Sequence, residues 1–377
     1  MLFRSRISSL TIERFRSLRQ LKLEGLGRVN LITGRNNTGK SSILEALRIL
    51  ASEASPYILS SILRFREEDL AEPEEGSRTM EQEGFGQFAA LFTGFPPMSE
   101  IRDPIILSGN GGERPLHLTV SFGLFSEERD QEGARKLVPQ QTQLFANEEL
   151  IPALVIESAS GRRFITPDYL RRFGVRGRLM RSDLTEEPRI PCVFVSPYGG
   201  ERTATLGALW DKIALSDSEK DVVQALRIIV GDIEAVSMVG GEGPRQMRTA
   251  IVRSGGFKRP IPLRSFGDGL NRLFGIVLSL VNAKDGLLLI DEFENGMHHT
   301  VQLDVWRAIF RLARQLNIQV FATSHSWDAV ESFQKAAAED PSEGLLVRLS
   351  RKGDSIIPTL FREDELAVAT REHIEVR

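Results

Sequence analysis

A glycine-rich segment near the start of the chain has the residue types that bind phosphate groups. Glycines at both ends let the backbone approach an anion, and the N–H groups of such a loop converge on it at a helix N-terminus. We expect Lys40 to reach the β- and γ-phosphates of a nucleotide and the Ser41 hydroxyl to bind Mg²⁺. The segment is a complete P-loop and predicts ATP and Mg²⁺ as cofactors. It reads Gly34-Arg35-Asn36-Asn37-Thr38-Gly39-Lys40-Ser41, followed by Ser42.

Two carboxylates follow an apolar strand pattern in the last third of the chain. Residues 287–290 read Leu-Leu-Leu-Ile and directly precede Asp291 and Glu292. Side chains at such a strand end face the crevice in which α/β proteins bind ligands. We expect Asp291 to hold Mg²⁺, directly or through water, and Glu292 to act as the general base on the attacking water. Acidic pairs also end strands without any function, and the P-loop favours the functional interpretation.

Two further loops suit the same site. His325 follows a strand pattern at 319–323 and is expected beside the Asp291 strand, where its ring can sense a γ-phosphate. Together with Glu292 and Lys40 it completes the predicted catalytic set. The second loop precedes a helix pattern and could bind an anion or be a flexible capping turn. It reads Ser265-Phe266-Gly267-Asp268-Gly269, in which Ser265, Gly267 and Gly269 are the predicted phosphate contacts.

Hydrophobic patterns predict the elements that position these residues. Residues 29–33 form a short apolar strand before the P-loop, and a helical spacing of apolar residues follows Lys40. In the last third, helix and strand patterns alternate at 270–281, 287–290, 301–316 and 319–323. This alternation predicts an α/β fold with a mixed, largely parallel sheet flanked by helices.

The middle of the chain has a different pattern. Runs at 101–107 and 116–122, separated by glycines, predict an antiparallel hairpin and with it a β subdomain. We interpret 1–125 and 191–377 as the two parts of the nucleotide-binding domain and 126–190 as a mainly helical insertion. The insertion contains an arginine-rich stretch from Arg162 to Arg181 with a single acid, Asp168. Its arginines are Arg162, Arg163, Arg171, Arg172, Arg176, Arg178 and Arg181.

Composition narrows the class of protein. The chain has 377 residues, of which 41% are hydrophobic and 26% charged, as in globular proteins. No apolar run reaches the length of a membrane span, and no signal peptide precedes the first strand, so we predict a cytoplasmic protein without membrane association. Cys192 is the only cysteine, which excludes an internal disulfide and a thiolate metal cluster. The net charge of −3 is no sign of nucleic-acid binding.

These motifs resemble the ABC-type ATPase heads of the RecF, SMC and OLD (overcoming lysogenisation defect) group. The resemblance covers about 7–50 and 191–377, including the segment 291–299 and the motif at 323–326. It implies an ABC-type P-loop head and a homodimer with two ATP molecules between the subunits. In that dimer the 265–269 loop of one subunit faces the γ-phosphate bound by the other, and the segment after Glu292 crosses the interface. His325 is then the switch histidine.

The sequence also departs from that group. The 265–269 loop lacks the Leu-Ser-Gly-Gly-Gln order of transporters and SMC heads. This difference disfavours a transporter function, and it leaves the register of the Ser and Gly contacts of the loop open. A glutamine that binds Mg²⁺ is expected in the first half, and Gln82 and Gln87 are the candidates. No long coiled coil separates the halves. About 50 residues follow His325, too few for the TOPRIM nuclease domain of OLD proteins.

Three functions are compatible with these features. The first is an ATPase that dimerises around ATP and regulates a separately encoded effector, such as a nuclease, in defence against phage or plasmid; the defence role rests on analogy alone. The second is a RecF-like DNA-binding ATPase of repair or maintenance, using the stretch from Arg162 to Arg181. The third is a non-hydrolysing ATP-dependent interaction module, which the intact catalytic residues disfavour. Guanine recognition is disfavoured because 282–285 lacks the Asn-Lys-x-Asp order.

Overall fold

The computed structural model describes residues 7–68, 86–111, 115–129, 135–139, 150–167, 169, 190–197, 203–240, 248–339 and 343–372. Its strands are β1 (Ile7–Phe15), β2 (Leu18–Glu24), β3 (Val29–Gly34), β4 (Ile105–Gly111), β5 (Leu116–Arg129), β6 (Arg135–Pro139), β7 (Ile151–Ser158), β8 (Gly161–Ile165), β9 (Cys192–Val195), β10 (Ile233–Val239), β11 (Thr249–Ser254), β12 (Ile261–Pro262), β13 (Leu287–Ile290), β14 (Gln319–Thr323), β15 (Gly344–Lys352) and β16 (Ser355–Phe361). Its α-helices are α1 (Lys40–Ala51), α2 (Pro56–Phe65), α3 (Thr203–Ile213), α4 (Asp217–Leu226), α5 (Asp268–Asn282), α6 (His299–Gln315), α7 (Trp327–Glu339) and α8 (Glu363–Arg371).

A six-stranded mixed sheet forms the centre of the α/β fold, as predicted. Its order is β16-β15-β3-β14-β13-β9, and all of its pairs are parallel except the one between β15 and β16. Every residue of β3, β13 and β14 is buried, as expected for parallel strands covered on both faces. The carboxyl ends of these three strands therefore meet at one edge, where the predicted site residues follow.

An antiparallel sheet faces the mixed sheet across α1. Its order is β2-β1-β4-β5-β7-β8, with β6 also paired to β5, and the predicted hairpin corresponds to the antiparallel pair of β4 and β5. Helix α1 is buried almost all round because it packs between the two sheets. The opposite face of the mixed sheet is covered by a second core to which α5 and α6 contribute. Strands β10, β11 and β12 form a small third sheet.

Where the structure describes the insertion predicted at 126–190, it is β structure rather than mainly helical. Strand β7 pairs with β5 along its whole length and buries residues 152–156, so cross-strand pairing and burial determine the local conformation. Arg162 and Arg163 lie on β8. The five arginines from Arg171 to Arg181, Asp168 and Gln82 lie outside the described residues. Gln87 begins a short 3₁₀ helix, Gln87–Leu91. The division of the chain at 125 and 190 stays a prediction.

Among the helices of the described ranges, none combines the length and apolarity needed to cross a membrane.

Candidate nucleotide-binding site

The P-loop joins β3 to α1, as the sequence predicts. Gly34 ends β3 with a φ of 143°, and Gly39, just before α1, has a φ of 86°. A side chain at Gly34 would place its Cβ 2.6 Å from the Leu349 carbonyl oxygen, so a residue other than glycine requires the backbone to move. Asn37 is also left-handed, with a φ of 63°. Residues with positive φ thus alternate along the loop with residues of negative φ. Such alternation turns successive N–H groups toward one side, which is the geometry of an anion-binding nest.

Lys40 points back into the loop that precedes it. Its ammonium donates hydrogen bonds to the carbonyl oxygens of Gly34 at 2.6 Å and Arg35 at 3.1 Å. Burial lowers the pKa of Lys40, while the negative charges of Asp291, Glu294 and Glu292 oppose that shift. The Lys40 ammonium therefore lies where the P-loop and the acidic strand end meet.

Ser41 and Asp291 come together from opposite ends of the chain. The Ser41 hydroxyl donates to Asp291 Oδ1 at 3.1 Å, and the Thr323 hydroxyl donates to the same oxygen at 2.6 Å. Only 4% of Asp291 is exposed. A hydroxyl and a carboxylate are the hard oxygen ligands that Mg²⁺ accepts, so this donor set fits the metal that the sequence predicts.

Glu292 is held by its neighbours in an uncommon backbone conformation. Its φ is 48°, and its N–H donates to the Thr323 hydroxyl at 2.9 Å. Its carboxylate accepts a hydrogen bond from the Asn295 side-chain amide, which also donates to the Pro197 carbonyl at 3.0 Å. The only sequence signal for Asn295 is its place in the segment after Glu292. The contacts orient the carboxylate that we predict as general base.

His325 lies two residues after the end of β14, the strand next to the one that precedes Asp291, as predicted. Its backbone N–H donates to Glu294 Oε1 at 3.0 Å, and its ring Nδ1 lies 3.2 Å from the same oxygen. Half of the His325 side chain is exposed, while Glu294 is 9% exposed. Glu294 thus fixes the main chain and ring of His325 at the site, a role that no pattern in the sequence indicated.

The second predicted loop lies at the start of α5. Ser265 belongs to a 3₁₀ helix, Leu263–Phe266, Gly267 is the N-cap with a φ of 100°, and Gly269 lies in the first turn. Ser265 and Gly267 are exposed. The phosphate contacts predicted for this loop stay a prediction.

Arg272 links α5 to the acidic strand end. Its guanidinium donates to the carbonyl oxygens of Ser196 at 2.6 Å, Asp291 at 3.1 Å and Glu292 at 3.2 Å. Arg272 is 2% exposed, so these bonds form in a buried environment where they are strong. Helix α5 and the carboxylate-bearing backbone are therefore mechanically connected. The sequence contained no signal for this residue beyond its place in the helix.

Comparison with known proteins matches the chain to a family model and to several relatives. Residues 29–330 match the family model described as "AAA domain, putative AbiEii toxin, Type IV TA system". A Helicobacter pylori protein named "ATP/GTP phosphatase" is 25% identical over 380 residues, which cover 96% of each chain. An uncharacterized Methanocaldococcus jannaschii protein is 46% identical over 65 residues, 16% of this chain and 30% of that protein.

Solved structures with a similar chain path include SMC heads. One is the Smc head domain with an extended coiled coil, bound to the C-terminal domain of ScpA derived from Pyrococcus furiosus. It is 10% identical, with a TM-score of 0.47 over 98% of this chain and 99% of that chain.

Proposed function

This chain belongs to the AAA domain family, and on that premise we propose that it binds MgATP at the P-loop and hydrolyses it. The observation that carries the proposal is the junction of Ser41, Asp291 and Glu292. A phosphate-binding loop, a metal-binding pair and a carboxylate able to activate water meet there, although they come from distant parts of the chain. The Helicobacter pylori relative, named as a nucleotide phosphatase, supports this activity.

The proposed site divides the work of hydrolysis among its residues. Backbone N–H groups of the loop and Lys40 bind the phosphates, and Ser41 and Asp291 hold Mg²⁺, which neutralises charge on the phosphates. Glu292 takes a proton from the attacking water, with Asn295 holding its carboxylate in place. His325, held by Glu294, contacts the γ-phosphate end. The loop contacts are assigned to Gly34, Arg35, Asn36, Asn37, Thr38, Gly39 and Ser42.

Steady-state release of phosphate from MgATP tests the proposal. We expect turnover by the wild-type protein and its loss in Lys40→Met, because the substitution removes the cation that contacts the transferred phosphate. Lys284→Met, which removes a charge from the loop between α5 and β13, is the matched control and should retain turnover. Absence of turnover in the wild-type protein, or full turnover in Lys40→Met, would contradict the proposal.

We further propose that two copies close around ATP. The exposed Ser265 and Gly267 at the N-terminus of a 15-residue helix support this, because the positive end of α5 faces outward and can receive a phosphate bound by a second copy. Sedimentation with a non-hydrolysable ATP analogue should show a dimer, and Ser265→Glu should prevent it by adding a negative charge at an exposed position. A monomer under saturating analogue would reject this part of the proposal.

Regulation of a separately encoded effector, such as a nuclease, is the remaining part of the proposed function. The family description includes the words "putative AbiEii toxin, Type IV TA system", and the proposed defence role itself rests on analogy. Affinity purification of the tagged chain with its neighbouring gene products tests it. A co-purifying nuclease whose activity changes with ATP is the expected result, and a membrane permease as the partner would contradict it.

The described part of the arginine-rich stretch gives little support to a DNA-binding ATPase. Arg162 lies 3.4 Å from Glu157 and stacks on Phe164, and Arg163 donates to the Glu53 carbonyl. Both guanidinium groups therefore contact residues of the same chain. DNA binding that weakens steeply with salt would restore this alternative.

A further inference from the structure

The hairpin of β15 and β16 forms one wall of the P-loop. In the register of β15 and β3, Leu349 lies opposite Gly34, and the Leu349 carbonyl occupies the space that a Gly34 side chain would need. A Cβ at Gly39 would lie 3.3 Å from Ile356 Cδ1. The hairpin therefore contacts both ends of the loop, although it comes from the opposite end of the sequence.

A third contact from the same hairpin reaches the tip of the loop. Arg351, near the end of β15, donates a hydrogen bond from Nη2 to the Asn37 carbonyl oxygen at 2.9 Å. Asn37 is the left-handed residue of the tip, and asparagine tolerates that conformation better than most other side chains. Arg351 and Asn37 are both exposed, so this bond forms at the open rim of the site.

The direction of this bond determines where the next N–H group points. A trans peptide unit is planar, with its C=O and N–H on opposite sides. Because Arg351 holds the Asn37 carbonyl toward the hairpin, the N–H of Thr38 must point away from the hairpin. A second bond acts in the same way earlier in the loop, where the Thr38 hydroxyl donates to the Arg35 carbonyl at 2.8 Å.

We propose that Arg351 is a positioning residue for the nucleotide phosphates. It holds the Asn37–Thr38 peptide unit so that the Thr38 N–H faces the anion, and its permanent charge adds positive potential at the rim of the loop. The inference rests on the proposed function, since it assigns a further residue to the same nucleoside triphosphate site. A P-loop held in this way binds phosphate without first reorganising its tip.

Binding measurements on single variants test the proposal. Arg351→Met should raise the Kd for ATP and for ADP by about tenfold, the lower range expected for one hydrogen bond that supports binding of a charged group. The Kd for adenosine should not change, because adenosine has no phosphate. At saturating ATP, kcat should stay within about twofold, so that the defect appears in KM.

Two further variants separate positioning from charge and from folding. Arg351→Lys keeps the charge and should recover part of the affinity. Lys352→Met removes an equal charge from the next, also exposed, residue of the hairpin and should leave the Kd unchanged. A structural role alone would lower the melting temperature of Arg351→Met and leave its Kd for ATP unchanged, which would overturn the proposal.

The results also distinguish this inference from the proposed function. If the wild-type protein binds ATP and Lys40→Met does not, while Arg351→Met binds ATP as well as the wild type, only the inference is wrong. An equal rise of Kd in Lys352→Met and Arg351→Met would also overturn it, because a general charge effect would then suffice. A wild-type protein that binds no ATP would overturn both.

Discussion

Two clusters of charged residues lie along α1 and differ in how they are completed. The open cluster lies at the start of the helix, where Lys40 meets Asp291, Glu292 and Glu294. The closed cluster lies one turn further on and joins Glu45 to two arginines. Glu45 Oε2 is 2.6 Å from Arg16 Nε, Glu45 Oε1 is 2.6 Å from Arg66 Nε, and Glu68 accepts two bonds from Arg16 at 2.8 and 2.9 Å.

The ratio of carboxylates to cations separates the two clusters. In the closed cluster Glu45 and Glu68 face the guanidinium groups of Arg16 and Arg66, and Arg48 adds a third positive charge near Glu45. The side chains of Arg16 and Glu45 are 3% and 5% exposed. Burial raises the pKa of Glu45, although Arg16 and Arg66 act in the opposite direction. In the open cluster the carboxylates outnumber Lys40, and an added cation would balance them. A buried network in which arginines compensate the carboxylates holds α1 in place, whereas the excess of carboxylates at the start of the same helix is suited to bind a metal ion.

The largest effect is expected at the carboxylate of the open cluster. Glu292→Gln should lower kcat for ATP by about 10²- to 10⁴-fold, because the amide cannot accept the proton of the attacking water. ATP binding should persist, since the P-loop is unchanged. Phosphate release and equilibrium binding measure the two effects. Glu331→Gln, on the exposed face of α7, is the control, and undiminished turnover in Glu292→Gln would remove this residue from the mechanism.

Substitutions in the closed cluster should lower the free energy of unfolding. Glu45→Ala leaves the Arg16 guanidinium partly uncompensated in a buried position, which should lower the free energy of unfolding by about 3–5 kcal/mol. Glu45→Gln keeps the side-chain size and one acceptor and should cost less. Urea denaturation measures both losses. A loss below about 1 kcal/mol in Glu45→Ala would mean that the network does not hold α1 in place.

Ligand binding should stabilise the protein through the open cluster only. MgATP at a hundred times its Kd should raise the free energy of unfolding by about 2.7 kcal/mol. Removing Mg²⁺ with EDTA, or replacing Asp291 in Asp291→Asn, should reduce the gain, because the metal-binding carboxylate or its metal is absent. Thermal melts with the non-hydrolysable analogue measure it. An equal gain with and without Mg²⁺ would contradict the metal role of this cluster.

The smallest change in the free energy of unfolding is expected at an exposed ion pair. Lys335 lies 2.7 Å from Glu331, one turn away on α7, and both side chains are about half exposed. Lys335→Ala should change the free energy of unfolding by only about 0.3–0.5 kcal/mol, because water competes for both charges. Urea denaturation at low and high salt measures the change. A loss as large as that of Glu45→Ala would show that burial does not separate the two kinds of ion pair.

Local patterns predicted much of the fold because they reflect burial. The strands at 287–290 and 319–323 have the predicted bounds, since a parallel strand covered on both faces is a short, continuous apolar run. The insertion was less predictable. Its described residues pair with β5 across the antiparallel sheet, and pairing with a distant strand leaves a weak local pattern.

The sequence by itself determined the glycine-rich loop between strand and helix, the two carboxylates at a strand end and the α/β order, because each depends on residues close together in the chain. Only the tertiary structure decided which side chains complete them. Asn295 on Glu292, Arg272 on the acidic strand end and Arg351 on the loop tip are contacts between separate elements. Hydrogen bonds of this kind depend on how strands and helices pack in three dimensions, and the spacing of residues in the sequence does not predict that packing.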